Sequence, residues 1–333
     1  MKLVLEKDFI KYLTNTECID EASKDLETFL CDDFSGYKLA CDIESNEEFM
    51  RLCEENPFFE FLLDKFIEIE YKQDLKIKIH DETIFKEATP RTIFMITQEY
   101  KWVSEISAKY GQLIVSTDNL KNTWEFPYNM RKGVTLKVTK SESVPDKDRF
   151  DCWEKMSYFK HNFKNIIIFD KYLLSNITPS ELTNTVVPLL KNILPTAKDV
   201  NVTIVSEIKS GFKLEKYITE LKRHFCKNTN FNIIRHWKAL YPKNLETLHA
   251  RYLLTDYIAI ICDGSFTFFK KNGTVNAVVN INANLTLCKQ NCIFFKKDIS
   301  DLNSYLSKVT NNPNGDEKHS DMYFPHKLNP LLN

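Results

Sequence analysis

Between residues 164 and 237 the chain repeats one pattern: a short, nearly continuous apolar run, an amphipathic stretch, then another apolar run. The runs are KNIIIF at 164–169, VNVTIV at 200–205 and FNIIRHW at 231–237. A strand that is apolar at almost every position has no face to give to water, so it belongs inside a parallel sheet covered by helices on both sides. The stretches between the runs supply those helices. Residues 179–194 open with Thr178-Pro179, an N-cap followed by proline at the first helical position. Residues 214–225 (LEKYITELKRHF) carry apolar side chains at helical spacing. Strand, helix, strand, helix, strand is the signature of an α/β fold.

The first part of the chain reads the same way with weaker punctuation. MKLVLEKDFIKYL predicts a strand leading into a helix, and residues 22–30 continue with helical spacing. Residues 46–70 predict one or two helices broken near Pro57, and LKIKI at 75–79 alternates like a half-exposed strand. Residues 92–96 predict a buried strand, 99–110 a helix ending at Gly111, and 112–117 a further strand, together a βαβ-type unit and hence a parallel sheet. Residues 120–160 read as a connection with one strand near 134–140. The expected organisation is an N-terminal α/β domain over 1–148, a second α/β domain over 149–310, and a mobile tail over 311–333 in which Phe324 and Leu331-Leu332 dock. Asn272-Gly273 is a hairpin turn signal.

Composition narrows the function classes. A chain of 333 residues that is 43% hydrophobic has ample material for two cores, and a formal charge of −1 argues against a broadly basic nucleic-acid coating. There is no apolar run long enough to span a bilayer, and the charged N-terminus does not read as a signal peptide. Nine scattered cysteines, an odd number, suit reduced thiols in a cytoplasm. Neither glycine-rich phosphate-loop motif is present. Cys288 and Cys292 form the one close cysteine pair, with no partner ligands nearby to complete a zinc site.

The candidate chemistry lies in LHARYLLTDYIAIICDGSFT, residues 248–267. In a strand His249 and Arg251 share a face, and a histidine beside a cation can hold a phosphate and attack it. The alternative is a core strand with a satisfied histidine and an edge arginine. His249-x-Arg251-x4-Asp256, followed by Gly264-Ser265, resembles the H-x-K-x4-D and G-S-x-N signature of the phospholipase D superfamily. Arg251 stands where that signature has lysine, the spacer before Gly264 is one residue longer, and Thr267 replaces asparagine. The resemblance covers roughly 164–280. It implies His249 as nucleophile, Arg251 as phosphate clamp, Asp256 as an orienting partner, and Ser265, Thr267 and Arg235 as phosphate contacts. It requires no cofactor. Because the chain has one such motif, it also implies a homodimer that brings two His249 side chains together. Non-catalytic members exist, such as the phospholipase D-like C-terminal domain of microtubule-interacting-and-trafficking proteins, so a phosphate- or protein-binding module is the second reading.

A third reading gives the chemistry to carboxylates of the first part. Asp8, Glu99 and Asp118 fall near strand or helix ends, loosely like a PIN-type nuclease, where clustered acids hold Mg²⁺. Asp118 is equally a turn or helix cap. The expected substrate is nucleic acid rather than membrane lipid, with Lys209, Lys213, Lys216, Lys222, Arg223, Arg235 and Lys238 as backbone contacts. A solvated helix face is the alternative for that run. By analogy the chain is expected to be a nuclease effector in a defence or mobile-element system, with a protein partner as a further expectation.

Overall fold

The computed structural model describes residues 1–15, 20–34, 38–195, 199–235, 251–288, 290–291, 297, 299–304 and 329–332. The chain has an α/β fold and divides into two compact units, 1–132 with 285–293, and 133–284 with 294–333. The sequence placed the division near 148; the contacts place it before the strand at 134–138, which pairs within the second unit's sheet.

The first unit holds strands β1 (Lys2–Leu5), β2 (Lys38–Cys41), β3 (Glu68–Tyr71), β4 (Thr92–Ile96) and β5 (Leu113–Ser116). They form one sheet in the order β3-β2-β1-β4-β5, every neighbouring pair parallel. The central strands are buried along their length, including Leu3 to Leu5 and Ile93 to Ile96, as a sheet covered on both faces demands. Its helices are α1 (Lys7–Leu13), α2 (Glu21–Thr28), α3 (Asn46–Glu55), α4 (Pro57–Lys65), α5 (Leu75–His80), α6 (Thr83–Lys86), α7 (Tyr100–Tyr110) and α8 (Leu120–Arg131). Local chemistry fixes several of their ends. Ser45 Oγ accepts the Glu48 N–H, Asn56 Oδ1 accepts the Phe58 N–H, and Gly111 closes α7 in the left-handed region at φ 59°.

Two expectations fail here. Residues 75–79 are helical, because Leu75 and Ile79, four apart, are both fully buried while Ile77 between them is 68% exposed. Residues 120–131 form α8 rather than a loose connection, with Asn119 as its cap and Trp124 fully buried.

The second unit contains β6 (Val134–Val138), β7 (Arg149–Phe150), β8 (Asn165–Phe169), β9 (Asn201–Ser206), β10 (Asn230–Arg235), β11 (Arg251–Thr255), β12 (Ile258–Cys262) and β13 (Asn280–Leu285). The sheet order is β10-β9-β8-β11-β12-β13-β6-β7. Strands β8, β9 and β10 are parallel to one another, and β11 runs antiparallel to both β8 and β12. The helix expected over 179–194 opens as a 3-10 turn (Pro179–Asn184), breaks at Thr185, and continues as α9 (Val186–Ile193). The amphipathic stretch at 214 becomes α10 (Leu214–His224), burying Leu214, Tyr217, Ile218 and Leu221. In the tail, Asn329 is buried and donates to Ile166 O and Thr203 Oγ1, so residues 329–332 pack on β8 and β9; Phe324 lies outside the described residues.

Candidate functional site

Strand β8 is apolar until it ends at Phe169, and the next residue is Asp170. Antiparallel pairing puts Tyr252 opposite Phe169, so Arg251, the first residue of β11, lies beside Asp170. Strand β12 returns with Cys262 opposite Arg251, and the chain then turns through Asp263, Gly264 and Ser265. One sheet end therefore collects Asp170, Arg251 and the Gly264-Ser265 loop. The carboxyl ends of strands in open α/β sheets are where ligands are usually bound.

Asp170 organises this end. Its Oδ2 accepts from Ser265 Oγ at 2.7 Å and from the Phe266 N–H at 2.8 Å, and its Oδ1 accepts from the Tyr172 N–H at 2.9 Å. The residue is completely buried. Burial pushes its pKa up, while these three hydrogen bonds and the charge of Arg251 pull it back. Gly264 fits because a Cβ there would overlap Cγ1 of Val279. Thr267 follows, its oxygens taken up by Asn276 Nδ2, which donates to Thr267 O at 3.1 Å and Oγ1 at 3.4 Å.

Arg251 is half-buried, with its guanidinium carbon 5.1 Å from the Tyr172 ring centroid. It makes no ion pair within 4 Å among the described residues. A stacked guanidinium at a strand end, braced on an aromatic ring and not spent on a salt bridge, is suited to a bidentate oxyanion. Cys262 opposite it is no nucleophile, since burial pushes its thiol up to about 12.

Asp256 is not part of this site. It lies five positions along the chain from Arg251, roughly 16 Å at about 3.3 Å per residue, and occupies the other end of the sheet. There it is buried and accepts from the N–H groups of Lys164 and Asn165 and from Asn165 Nδ2. Its role is to orient the start of β8 by hydrogen bonding, at the opposite sheet end from Arg251, with which the motif had grouped it as a catalytic residue. Beside it, His161 is half-buried; Nδ1 donates to Phe159 O, and Nε2 accepts from Thr255. Burial lowers its pKa to about 4, which makes it a neutral core histidine.

Arg235 ends β10 at the same sheet end as Arg251, paired in register with Ser206, and its side chain lies outside the described residues. His249, His236 and Lys238 also lie outside them. The basic run splits between the two ends. Helix α10 carries the chain from the end of β9 back to the start of β10, so Lys209 and Lys213 precede it at the Arg251 end. Lys222 and Arg223 fall in its last turn, away from that end, where Arg223 pairs with Glu220 at 2.7 Å. His224 also meets Glu220, at 3.2 Å. The sequence reading passed over Asp170, although an acid directly after a doubly buried strand was its visible signal.

In the first unit, the three proposed metal ligands are otherwise engaged. Asp8 pairs with Lys76 at 2.8 Å and Lys11 at 3.5 Å, which lowers its pKa. Asp118 Oδ2 accepts the Tyr100 N–H at the start of α7, and Glu99 occupies the N-cap position. The carboxylates directly after β1 and β2 are Glu6 and Asp42, both buried and both missed from sequence. Glu6 Oε2 accepts from Thr97 N and Oγ1, and Asp42 Oδ1 accepts from the Lys7 N–H. Among the described residues no group of three or more His, Cys, Asp or Glu side chains is arranged to hold a metal ion. The residues present do not fit the Mg²⁺ expected of the carboxylate alternative.

No family model matches the chain, and no curated protein matches it. Among solved structures, it is similar to Nuc from Salmonella typhimurium, a phospholipase D family member, at 11% identity and a TM-score of 0.29, over 52% of this chain and 95% of that one. It is also similar to polyphosphate kinase from Porphyromonas gingivalis, at 12% identity and a TM-score of 0.26, over 50% of this chain and 26% of that one. Both neighbours are about a tenth identical to the chain over the aligned residues and superpose on it loosely. No helix among the described residues is long and apolar enough to cross a membrane.

Proposed function

We propose that the second unit is a phospholipase D-like domain that carries out phosphoryl transfer on phosphodiesters, with nucleic acid as the substrate. The observation that carries this reading is the Arg251 guanidinium at the end of β11, without an ion pair among the described residues and beside a serine loop pinned by a buried carboxylate. The sequence puts His249 two residues before it. In the reaction, a His249 ring nitrogen forms a bond to phosphorus as the bond from phosphorus to the leaving oxygen breaks. Arg251 holds the non-bridging oxygens and stabilises the charge that develops on them. A second histidine gives the leaving oxygen its proton, and His249 of a partner subunit in a two-fold dimer supplies it. Water then hydrolyses the phosphorus–nitrogen bond and frees His249.

The test is hydrolysis of bis(p-nitrophenyl) phosphate and of labelled DNA and RNA by wild type, His249→Ala and Arg251→Ala, each with EDTA or with Mg²⁺. Turnover that survives EDTA and disappears in both variants is expected. Turnover that needs Mg²⁺ and persists in His249→Ala overturns the reading. Phosphate binding without turnover in wild type makes the domain a binding module.

A further inference from the structure

A second cleft opens at the same end of the second sheet as Arg251. The segment that leaves Ser265 runs through Phe266, Phe268 and Phe269 into a tight hairpin, in which Lys270 N donates to Thr274 O and Gly273 N to Lys270 O. Gly273 is in the left-handed region at φ 74°, as the Asn272-Gly273 turn requires. The hairpin faces Lys140, two residues beyond the end of β6, and the 3-10 segment that begins at Trp153. Between them lies a cleft of about 340 Å³ lined by Lys140, Lys270, Lys271, Trp153, Phe269 and Glu154, among others. That volume is at the small-molecule end of the range for ligand sites, roughly 300–1,000 Å³.

The charge of this cleft is one-sided. Lys140, Lys270 and Lys271 are exposed, and among the described residues none makes an ion pair within 4 Å. Asp151, which also lines the cleft, is already matched by Arg149 at 3.2 Å and Lys155 at 3.5 Å. Glu154 is the remaining acid, so the three lysines leave a net positive wall. The floor is aromatic. Trp153 is half-buried and packs against Phe268 at 5.6 Å and edge-on to Phe269 at 5.3 Å, and Phe269 stacks on Phe150 at 6.0 Å. The ring is therefore held by its neighbours with part of its surface left open. From β11 to β6 is three strand spacings, roughly 14 Å at about 4.8 Å each, and the connecting wall is the Ser265 segment itself.

We propose that this cleft is the subsite that binds single-stranded nucleic acid next to the Arg251 site, with a base stacked on Trp153 and flanking phosphates on Lys140, Lys270 and Lys271. It rests on the phosphodiester reading of the Arg251 site for its substrate class. Lysines alone serve any polyanion, but a held, partly open indole among them adds a face for a base, and stacking needs bases that are not paired. A duplex hides those faces, so the cleft discriminates against it.

The experiment measures fluorescence anisotropy of a labelled poly-dT oligonucleotide and of a duplex of the same length, on the full chain carrying His249→Ala so that nothing is cut. Lys140→Gln/Lys270→Gln/Lys271→Gln is expected to weaken binding of the single strand and to reduce the slope of log Kobs against log salt by about 2, from ~0.7 per phosphate contact. Trp153→Ala is expected to weaken it about tenfold, and Trp153→Phe, which keeps a stacking face and the packing on Phe268, to restore most of the loss. Unchanged affinity and slope in the triple variant overturn the proposal. So does equal binding of duplex and single strand with no effect of Trp153→Ala, and so does displacement of the oligonucleotide by equimolar poly-glutamate. Hydrolysis of bis(p-nitrophenyl) phosphate by wild type reads the Arg251 site separately. Lysine-dependent binding without that hydrolysis removes the proposed function and leaves the cleft standing.

Discussion

Asp170→Asn, with Asp256→Asn beside it, separates the site end of the second sheet from its other end. Both carboxylates are buried, and both accept three hydrogen bonds, two at one oxygen and one at the other. In either variant the amide keeps its oxygen where two donors converge and turns its NH2 toward the third. At 170 that third donor is the Tyr172 N–H, and at 256 it is Asn165 Nδ2, whose own Oδ1 is held by Asn201. Each variant therefore leaves one donor facing an amide NH2, up to about 1–3 kcal/mol where that donor is shielded from water, and converts two charge-assisted bonds to neutral ones. Removing a charge that burial disfavours offsets part of this. Both variants are expected to lose about 2 kcal/mol, a Tm drop of ~4–8 °C for a unit of this size. Their ligand responses differ. Wild type and Asp256→Asn should gain the same Tm increment from added inorganic phosphate, whereas Asp170→Asn, with its Ser265 loop and Arg251 loosened, should gain much less. Phosphodiesterase turnover of bis(p-nitrophenyl) phosphate should follow the same order. If the two variants lose stability equally and also lose the phosphate increment equally, the site is not at the Asp170 end.

Three further outcomes follow from other parts of the chain. His161 titrates near 4 in the fold against an ordinary value of 6.5, so the unfolded chain takes up the proton first. Its contribution, about 3 kcal/mol, is complete above pH 6.5 and is lost as the pH falls toward 4, and urea midpoints measured across that range should show a steeper fall for wild type than for His161→Gln. Gly264→Ala forces Val279 aside; an overpacking cost of about 1–3 kcal/mol and a reduced phosphate increment are expected in thermal melts. In the first unit, Glu6 keeps one carboxylate oxygen on Thr97, while its Oε1 is buried without a hydrogen-bond partner among the described residues. Glu6→Gln should leave urea stability within about 1 kcal/mol of wild type, and added Mg²⁺ should not raise the Tm of either protein; a Mg²⁺-dependent rise lost in Glu6→Gln would restore the metal reading.

The doubly buried strands were legible because burial on both faces leaves a local mark: NIIIF and TIFMI carry no alternation, and each became a fully buried strand. LKIKI misled because alternation over five residues fits a strand and also fits one helical turn in which only Leu75 and Ile79 face inward. β2 and β3 are four residues each, too short for any period to register, and β3 is only half-buried. Glu6 and Asp42 were passed over for the more exposed Asp8 because sequence shows neighbours along the chain, whereas their place at the sheet's end depends on pairing between distant strands.

The same limit hides where the last residue of the His249 motif acts. Six residues of strand cannot converge on one atom, because an extended chain carries its two ends to opposite edges of a sheet. What joins Arg251 and Asp256 is register. Asp256 grips the N–H groups at the start of β8, and that grip sets Tyr252 opposite Phe169 at the strand's far end. A slip of one residue would turn Arg251 to the other face of the sheet, away from Tyr172, and would bury a charge in the helix layer. Asp256 thus serves the site from a distance, through the alignment of two strands. The proposed chemistry belongs to the end where Asp170 holds Ser265 and where Arg251 has no ion pair among the described residues.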